Sequence, residues 1–302
     1  MGSGGNPGSV SVRCRDAQHQ PTSCRWANHP SQRNQTVTTP TRRRNQNHSA
    51  SNVDDHRPVP GLRNLNLRRQ IRVATWNVQT LLRDGYPELL SRELSRYNVT
   101  IAGLCETRWK NSGELTIEDH HFIWSGPTDG RGQQGVALAL PIRLKASLCS
   151  WKPISPRLLT ARLHHRHGKL TIIVGYAPTD IAPEALKDDY YDALQAAILA
   201  VPPHDITIVL TDANATVSND ARDPTVTPVT GHFYVDPVTN DNGHRMIELC
   251  RGTNLCVADT WFPRKHIHAY TWYSNDGVTR KAIDHVLISQ RWRSSITNCR
   301  VY

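Results

Sequence analysis

Lysine and glutamate are absent from the first 70 residues, and so is any apolar period. That stretch holds eleven Arg against three Asp (Asp16, Asp54 and Asp55). The balance is +8, which leaves only +2 of the chain's +10 for residues 71–302. It is rich in Ser, Asn, Gln, Thr, Pro and His, and cannot bury enough surface to offset its chain entropy. Residues 1–69 therefore read as a disordered basic leader. Within it, "TRRRNQNH" is either a nuclear-localisation or nucleic-acid patch or a plain solvated run.

Other shortages narrow the function classes. No run of 18 or more apolar residues occurs, which excludes a membrane-spanning helix. The N-terminus lacks the apolar core of a secretory signal. The seven cysteines form no C-x-x-C pair and no zinc spacing. Cys105 and Cys256 stand in apolar runs, where buried thiols are ordinary. A reduced, intracellular setting is expected, and the basic leader points to the nucleus.

From Ile71 the texture changes to short apolar runs. "IRVATWNV", "VTIAGLCET", "FIWSG", "QGVALALP", "ITIVLTDAN", "LCVADTWF", "AYTWYS" and "AIDHVLIS" read as strands. "LLTARLHHRHGKLTIIVGYA" reads as a hairpin turning at His167 and Gly168. "PELLSRELSRY" carries Leu90, Leu94 and Tyr97 at helical spacing. "PEALKDDYYDALQAAILAV" places Leu186, Tyr190, Leu194 and Ile198 on one helical face. "NGHRMIELCRGTN" reads as a helix capped by Asn242, and "NDG" reads as the turn joining the last two strands. Strands outnumber helices irregularly, so residues 70–302 are predicted to form one α/β layered domain.

The informative pattern is where polar residues fall. Asn77 follows "VATW", Glu106 follows "IAGLC", and Tyr176 follows "TIIVG". Asp212 and Asn214 follow "ITIVL", and Asp284 lies inside "AIDHVLI". A carboxylate at the end of a buried strand is costly unless something pairs with it. Each residue alone has an ordinary reading: a turn or cap for Asn77, an exposed strand-end acid for Glu106, a half-buried tyrosine for Tyr176, an Asx turn for Asp212 and Asn214. Together they can converge on one rim as a metal and phosphate site. Glu106 would hold a hard cation with Asn77 beside it. Asp212 would orient and deprotonate water, and Asn214 and Tyr176 would steady charge on phosphorus. His285 cannot aim where its neighbour Asp284 does, because adjacent strand residues face opposite ways.

"ATWNVQTL", "GLCETRW", "GVALAL", "GYAPT", "DAN", "YTW" and "IDHVLIS" occur in this order. The set resembles the endonuclease/exonuclease/phosphatase superfamily from about Ile71 to Tyr302. The particular likeness is to the apurinic-type endonuclease domain of RTE-like non-LTR retrotransposons, and to the craniofacial development protein 2 group derived from such elements. The resemblance implies a four-layer α/β sandwich of two mixed sheets flanked by helices. It also implies nicking of a DNA substrate with Mg²⁺ or Mn²⁺. Asn77 and Glu106 match the metal positions. Tyr176, Asp212, Asn214 and Asp284 match the catalytic ones. Arg108 and Arg280 are the candidate phosphate contacts, ahead of Lys110, Arg131, Arg264 and Lys265. Trp272 reads as a core residue, and Trp109 equally as a core or a base-stacking one.

Two departures from the family stand out. "TDANA" has Thr211 where the family keeps glycine and Ala213 where it usually keeps an aromatic, so Thr211 is expected to crowd the metal rim. The family's closing Ser-Asp-His segment, with the strand that carries it, does not follow Asp284 here. An open sheet edge is expected in its place, and the alternative function is an impaired or inactive remnant that binds nucleic acid.

Overall fold

The computed structural model describes residues 9–13, 65–67, 70–129, 134–221 and 229–302. Most of the leader, with Cys14, Cys24 and "TRRRNQNH", lies outside the described residues, as does Arg131.

The first sheet has seven strands. β1 is Ser9–Arg13 and β2 is Arg72–Asn77. Helix α1, Tyr86–Arg96, precedes β3, Ile101–Cys105. β4 (Ser112–Ile117), β5 (His120–Ser125) and β6 (Val136–Pro141) complete it. The second sheet begins with β7 (Leu148–Ser155), β8 (Leu158–His165) and β9 (Gly168–Tyr176). After helix α2 (Glu184–Leu199) comes β10, Ile206–Asp212. After helix α3 (Asp241–Thr253) comes β11, Leu255–Val257. A short hairpin of β12 (Trp272–Tyr273) and β13 (Arg280–Lys281) precedes β14 (Asp284–Ser289) and β15 (Asn298–Val301). The strand orders are β15-β1-β2-β3-β6-β5-β4 and β11-β14-β10-β9-β8-β7.

Strand alternation builds the layers. Val73, Ile101, Val174, Ile172, Leu210, Ile208, Val286 and Ile288 fill the space between the two sheets. Alternate residues of the second sheet, Ile173, Val209 and Leu287, pack instead on Tyr190, Leu194, Met246 and Ile247 of α2 and α3. Ala74, Trp76, Ala102 and Leu104 pack on Leu90 and Leu94 of α1. The result is the expected four-layer α/β sandwich, with two mixed sheets inside and helices outside. Among the described residues, no helix is long and apolar enough to cross a membrane.

Several local expectations change. Leu186 is 53% exposed, because the buried stripe of α2 runs through Lys187, Tyr190, Tyr191, Leu194, Ala197 and Ile198. The α3 cap is Asn240, whose side chain accepts from Gly243 N. Gly277, at φ 72, turns β12 onto β13 rather than onto β14. Trp272 is 40% exposed on that hairpin, whose two strands pair only with each other and so bury neither face. Ser9–Arg13, read as part of a disordered leader, pairs antiparallel with β2 and with β15, and β15 is an edge of the sheet among the described strands. Its Ser-Val-Ser-Val alternation suits a strand, but five residues inside a polar stretch give too short a period to stand out.

Thr211 does not crowd the metal rim. It lies opposite Gly175 in the β9–β10 ladder, and its hydroxyl is 3.4 Å from the Tyr190 hydroxyl under α2. Asp212, one residue on, points the other way. Gly175 is needed here because a Cβ would stand 2.5 Å from the Tyr190 hydroxyl oxygen and 3.2 Å from Thr211 Oγ1. Gly175→Ala is expected to destabilise the fold by about 1–3 kcal/mol through overpacking. Tyr190→Phe in the same chain should recover part of the loss, as read by urea unfolding.

Candidate active site

The ladder registers gather the strand-end residues. Tyr176 is the partner of Asp212 in the parallel β9–β10 pair, and Asp212 is the partner of Asp284 in the antiparallel β10–β14 pair. In the other sheet Asn77 lies opposite Cys105, and Glu106 follows at once. Asn77, Tyr176, Asp212 and Asp284 share the parity that faces the inter-sheet space, while Glu106, just past the end of β3 and of the opposite parity, turns to the same rim with φ 56.

There Asn77 Nδ2 donates to Glu106 Oε1 and to Asp212 Oδ2, each at 2.8 Å. Two carboxylate acceptors fix the amide's orientation, and Asn77 Oδ1 accepts instead from Gln79 N at 3.0 Å. Asn77 thus shows the rim donors rather than a ligand oxygen. In this arrangement it holds the two carboxylates in place. The Tyr176 hydroxyl donates to Glu106 Oε1 at 2.9 Å. Arg108 Nη2 lies 3.7 Å from Glu106 Oε2. Asn214 N bonds Asp212 Oδ1 at 3.3 Å, and Asn214 Nδ2 donates to the Ala177 carbonyl at 3.0 Å. Arg280 shares no hydrogen bond or ion pair with these residues; its guanidinium lies 5.8 Å from the Tyr273 ring centre.

The electrostatics are those of crowded, buried acid. Burial raises Asp212 to about 6, against the lowering effect of Asn77 and of Asn214 N, with Glu106 adding to the rise. Burial and then the neighbouring Asp212 push Asp284 well above the carboxylate range. Tyr176 is raised by burial and by the Glu106 and Asp212 carboxylates, so its phenol stays protonated. Asp284 Oδ1 is buried and has no partner. Glu106, Arg108 and Asn214 all sit at positive φ, at 56, 60 and 47°. Non-glycine residues adopt that region at a cost, and such strain concentrates at functional sites.

A cation fits this chemistry. Three carboxylates meet at a rim where Arg108 lies 3.7 Å from Glu106, and one buried carboxylate oxygen, Asp284 Oδ1, has no hydrogen-bond partner. Among the described residues no group of three or more His, Cys, Asp or Glu is arranged as a metal cage. Mg²⁺ does not require one, since it keeps waters and takes one or two carboxylates with substrate phosphate.

The supporting loops contain residues the sequence reading missed. Arg157 Nη1 donates to the carbonyls of Tyr176 and Ala177 at 3.1 and 3.3 Å, and its guanidinium lies 4.8 Å from the Tyr176 ring centre. Asn242, fully buried, donates to the Pro178 carbonyl at 2.9 Å and the Asn214 carbonyl at 3.4 Å, tying the loops after β9 and β10 together. Asn240 Nδ2 holds the same Asn214 carbonyl at 2.9 Å. Gly135, at φ 114, accepts from Thr107 N at 3.0 Å, and a Cβ there would sit 2.6 Å from Thr107 Oγ1. Trp109 packs edge-on against Phe122 and Trp124, with ring centres 5.8 and 5.2 Å away, so its role is packing. The polar density of "TNDNGH" signals Asn240 and Asn242 alone.

His285 faces away from the rim, as alternation predicts. Its Nδ1 meets Asp259 Oδ1 at 3.0 Å, and its Nε2 meets the Ala215 carbonyl at 2.8 Å, steadying the loop after Asp212. Burial lowers its basicity, but the Asp259 carboxylate and the carbonyl outweigh that and raise it to about 9. The folded value exceeds the unfolded value of about 6.5. The stabilisation is therefore complete below about 6.5 and is lost as pH rises through about 9. Thermal unfolding of the wild type should fall over that window. His285→Asn should flatten the profile and cost about 3 kcal/mol near pH 6, because Asp259 loses its buried partner.

No protein-family model matches the chain. Craniofacial development protein 2 of Bos taurus is 31% identical over 228 residues, covering 76% of this chain and 37% of that protein. The Tragulus javanicus protein is also 31% identical over 228 residues, covering 76% and 38%. The chain thus spans well under half the length of these curated relatives. Among solved structures, the endonuclease domain of TRAS1, a telomere-specific non-LTR retrotransposon, is similar with a TM-score of 0.49 and 14% identity, over 76% of this chain and 95% of that one. An AP endonuclease from Archaeoglobus fulgidus follows with a TM-score of 0.48 and 17% identity, over 74% and 88%. The chain is thus similar over 76% of its length to craniofacial development protein 2, and its two facing mixed sheets with helices outside agree with the sandwich fold that the sequence resemblance implies.

Proposed function

We propose that this chain is a Mg²⁺-dependent phosphodiester hydrolase that nicks DNA. One observation carries the reading: Asn77 binds Glu106 and Asp212 at the same time, so a carboxylate from each sheet meets at one rim. Glu106 would hold Mg²⁺ or Mn²⁺, with Tyr176 fixing one of its oxygens. The ion would neutralise phosphate charge and the charge that develops on phosphorus. Asp212, raised to about 6, is poised near neutral pH to orient water and take its proton. The Asn214 amide has two donors; one holds the Ala177 carbonyl, and the other can meet a phosphoryl oxygen. Arg108 stands beside Glu106 to contact phosphate. DNA as the polymer is supported by the +8 leader and by exposed Trp272 on the hairpin that leads into Asp284, where a base can stack. Arg280 lies on the same hairpin and is the second proposed phosphate contact.

One observation favours a slower enzyme or a nucleic-acid-binding remnant. Asp284 Oδ1 is unpartnered, and among the described residues no histidine bonds it. A positioned acid–base group contributes about 10²–10⁴-fold in rate.

Supercoiled plasmid separates the readings. With Mg²⁺ the full chain should yield open circles, chelator should stop it, and Glu106→Ala and Asp212→Asn should each lower the rate by about 10²-fold or more. Nicking equal to that of Glu106→Ala would overturn the hydrolase reading, and retained, salt-sensitive DNA binding would then support the remnant.

A further inference from the structure

Thr271 is the middle residue of "YTW" and is 3% exposed, although Trp272 beside it is 40% exposed. It stands at the root of the β12–β13 hairpin, where its N–H donates to the Lys281 carbonyl at 3.0 Å. Residues 275–281 are exposed, and burial resumes at Ala282. The chain therefore leaves the fold after Thr271 and re-enters it at Ala282, two residues before Asp284.

The re-entry is held by side chains. β11 pairs with β14 only over residues 287–289, so among the described strands none lies along the start of β14 on that side. Ala282 N donates to Asp236 Oδ2 at 3.1 Å. Ile283 N and Asp284 N both donate to Thr271 Oγ1, at 3.0 and 3.3 Å. Three successive N–H groups, the last of them on a rim residue, thus share one carboxylate and one hydroxyl. Both acceptors are buried. Burial raises the Asp236 carboxyl, and the Ala282 N–H and then His285 oppose the rise. A buried acid is costly unless it is bound, and this one is bound to the root of the hairpin. Threonine is branched at Cβ, so few rotamers are open to its hydroxyl. Thr271 lies on the strand that enters the hairpin and binds the strand that leaves it.

We propose that Thr271 is a positioning residue that couples the hairpin to Asp284. Its hydroxyl fixes the N–H groups that carry Asp284 to the rim, in register with the hairpin that bears Trp272 and Arg280. The inference rests on the hydrolase reading and adds the contact through which a DNA-gripping hairpin sets the rate. Asp284 stands opposite Asp212 in the β10–β14 ladder, so a shift at Asp284 is felt by the carboxylate proposed to take the proton.

The experiment uses the full chain. Valine keeps the branched shape of threonine without its hydroxyl, and serine keeps the hydroxyl without the methyl. On plasmid with Mg²⁺, Thr271→Val should lower kcat by about tenfold or more, as a small displacement near the chemistry does. KM should stay near the wild-type value, and Thr271→Ser should restore most of kcat. Amide exchange in Thr271→Val should quicken at 283 and 284 and stay slow at 287 and 288. Equal kcat in wild type and Thr271→Val, or a loss that Thr271→Ser does not restore, would overturn the coupling and leave the hydrolase reading standing. A wild type that does not nick would overturn both. Should Thr271→Val lose protection throughout, the wild type decides, with chelator present to prevent cleavage. Duplex DNA should then slow exchange at 283 and 284, and unchanged exchange there on saturation with DNA would overturn the coupling.

Discussion

The Asn77 amide, shared between Glu106 and Asp212, joins the two sheets at their functional end. Everything around the site serves that three-residue contact. The apolar ladder between the sheets sets their spacing, and strand parity turns one residue in two toward the gap. Only because both sheets keep register can an acid from each reach the same pair of N–H donors. The contact also limits the charge problem. Buried carboxylates this close repel one another, and donors from Asn77, Tyr176 and Asn214 offset part of that cost.

The remaining cost is visible in Asp212 and Asp284, both raised by burial, and in the unpartnered Asp284 oxygen. A core that only needed stability would replace such groups with apolar ones. Their retention, together with positive φ at Glu106, Arg108 and Asn214, suits a site completed by a cation and a phosphate. Behind the rim, a second set of polar contacts fixes the loops. His285 with Asp259, Asn240 with Asn242, and Arg157 under Tyr176 all bind backbone carbonyls of those loops. The Asp-His pair in "IDHVLIS" is therefore divided. Asp284 faces the rim beside Asp212, and His285 holds the loop that follows Asp212.

Much of this was legible in the sequence, and for a physical reason. Asn77, Glu106, Tyr176 and Asp212 end apolar strands, and a polar group at that place needs a partner, so a shared rim stood beside the ordinary reading of each residue, and the family resemblance favoured the rim. The parity of Asp284 with Val286 and Ile288 was equally legible. What escaped depends on contacts between segments far apart. Asn242 and Asn240 stand two residues apart, and only the fold decides which caps α3 and which clamps the loops. Arg157 acts through backbone carbonyls, which leave no mark in sequence. Thr211 looked like an obstruction because side-chain direction was judged without the ladder that turns it under α2. β1 was lost in the composition of its surroundings.

The central claim is that the Glu106 and Asp212 carboxylates, gathered by Asn77, form a site for a hard divalent cation. Electron paramagnetic resonance of Mn²⁺ titrated into the full chain tests it most directly, because bound ion leaves the free signal. The account predicts one saturable site that Mg²⁺ displaces, weakened about tenfold or more in Glu106→Gln, within the range seen when support for a metal ligand is lost. Wild type and Glu106→Gln binding Mn²⁺ equally, or the wild type binding none, would contradict it.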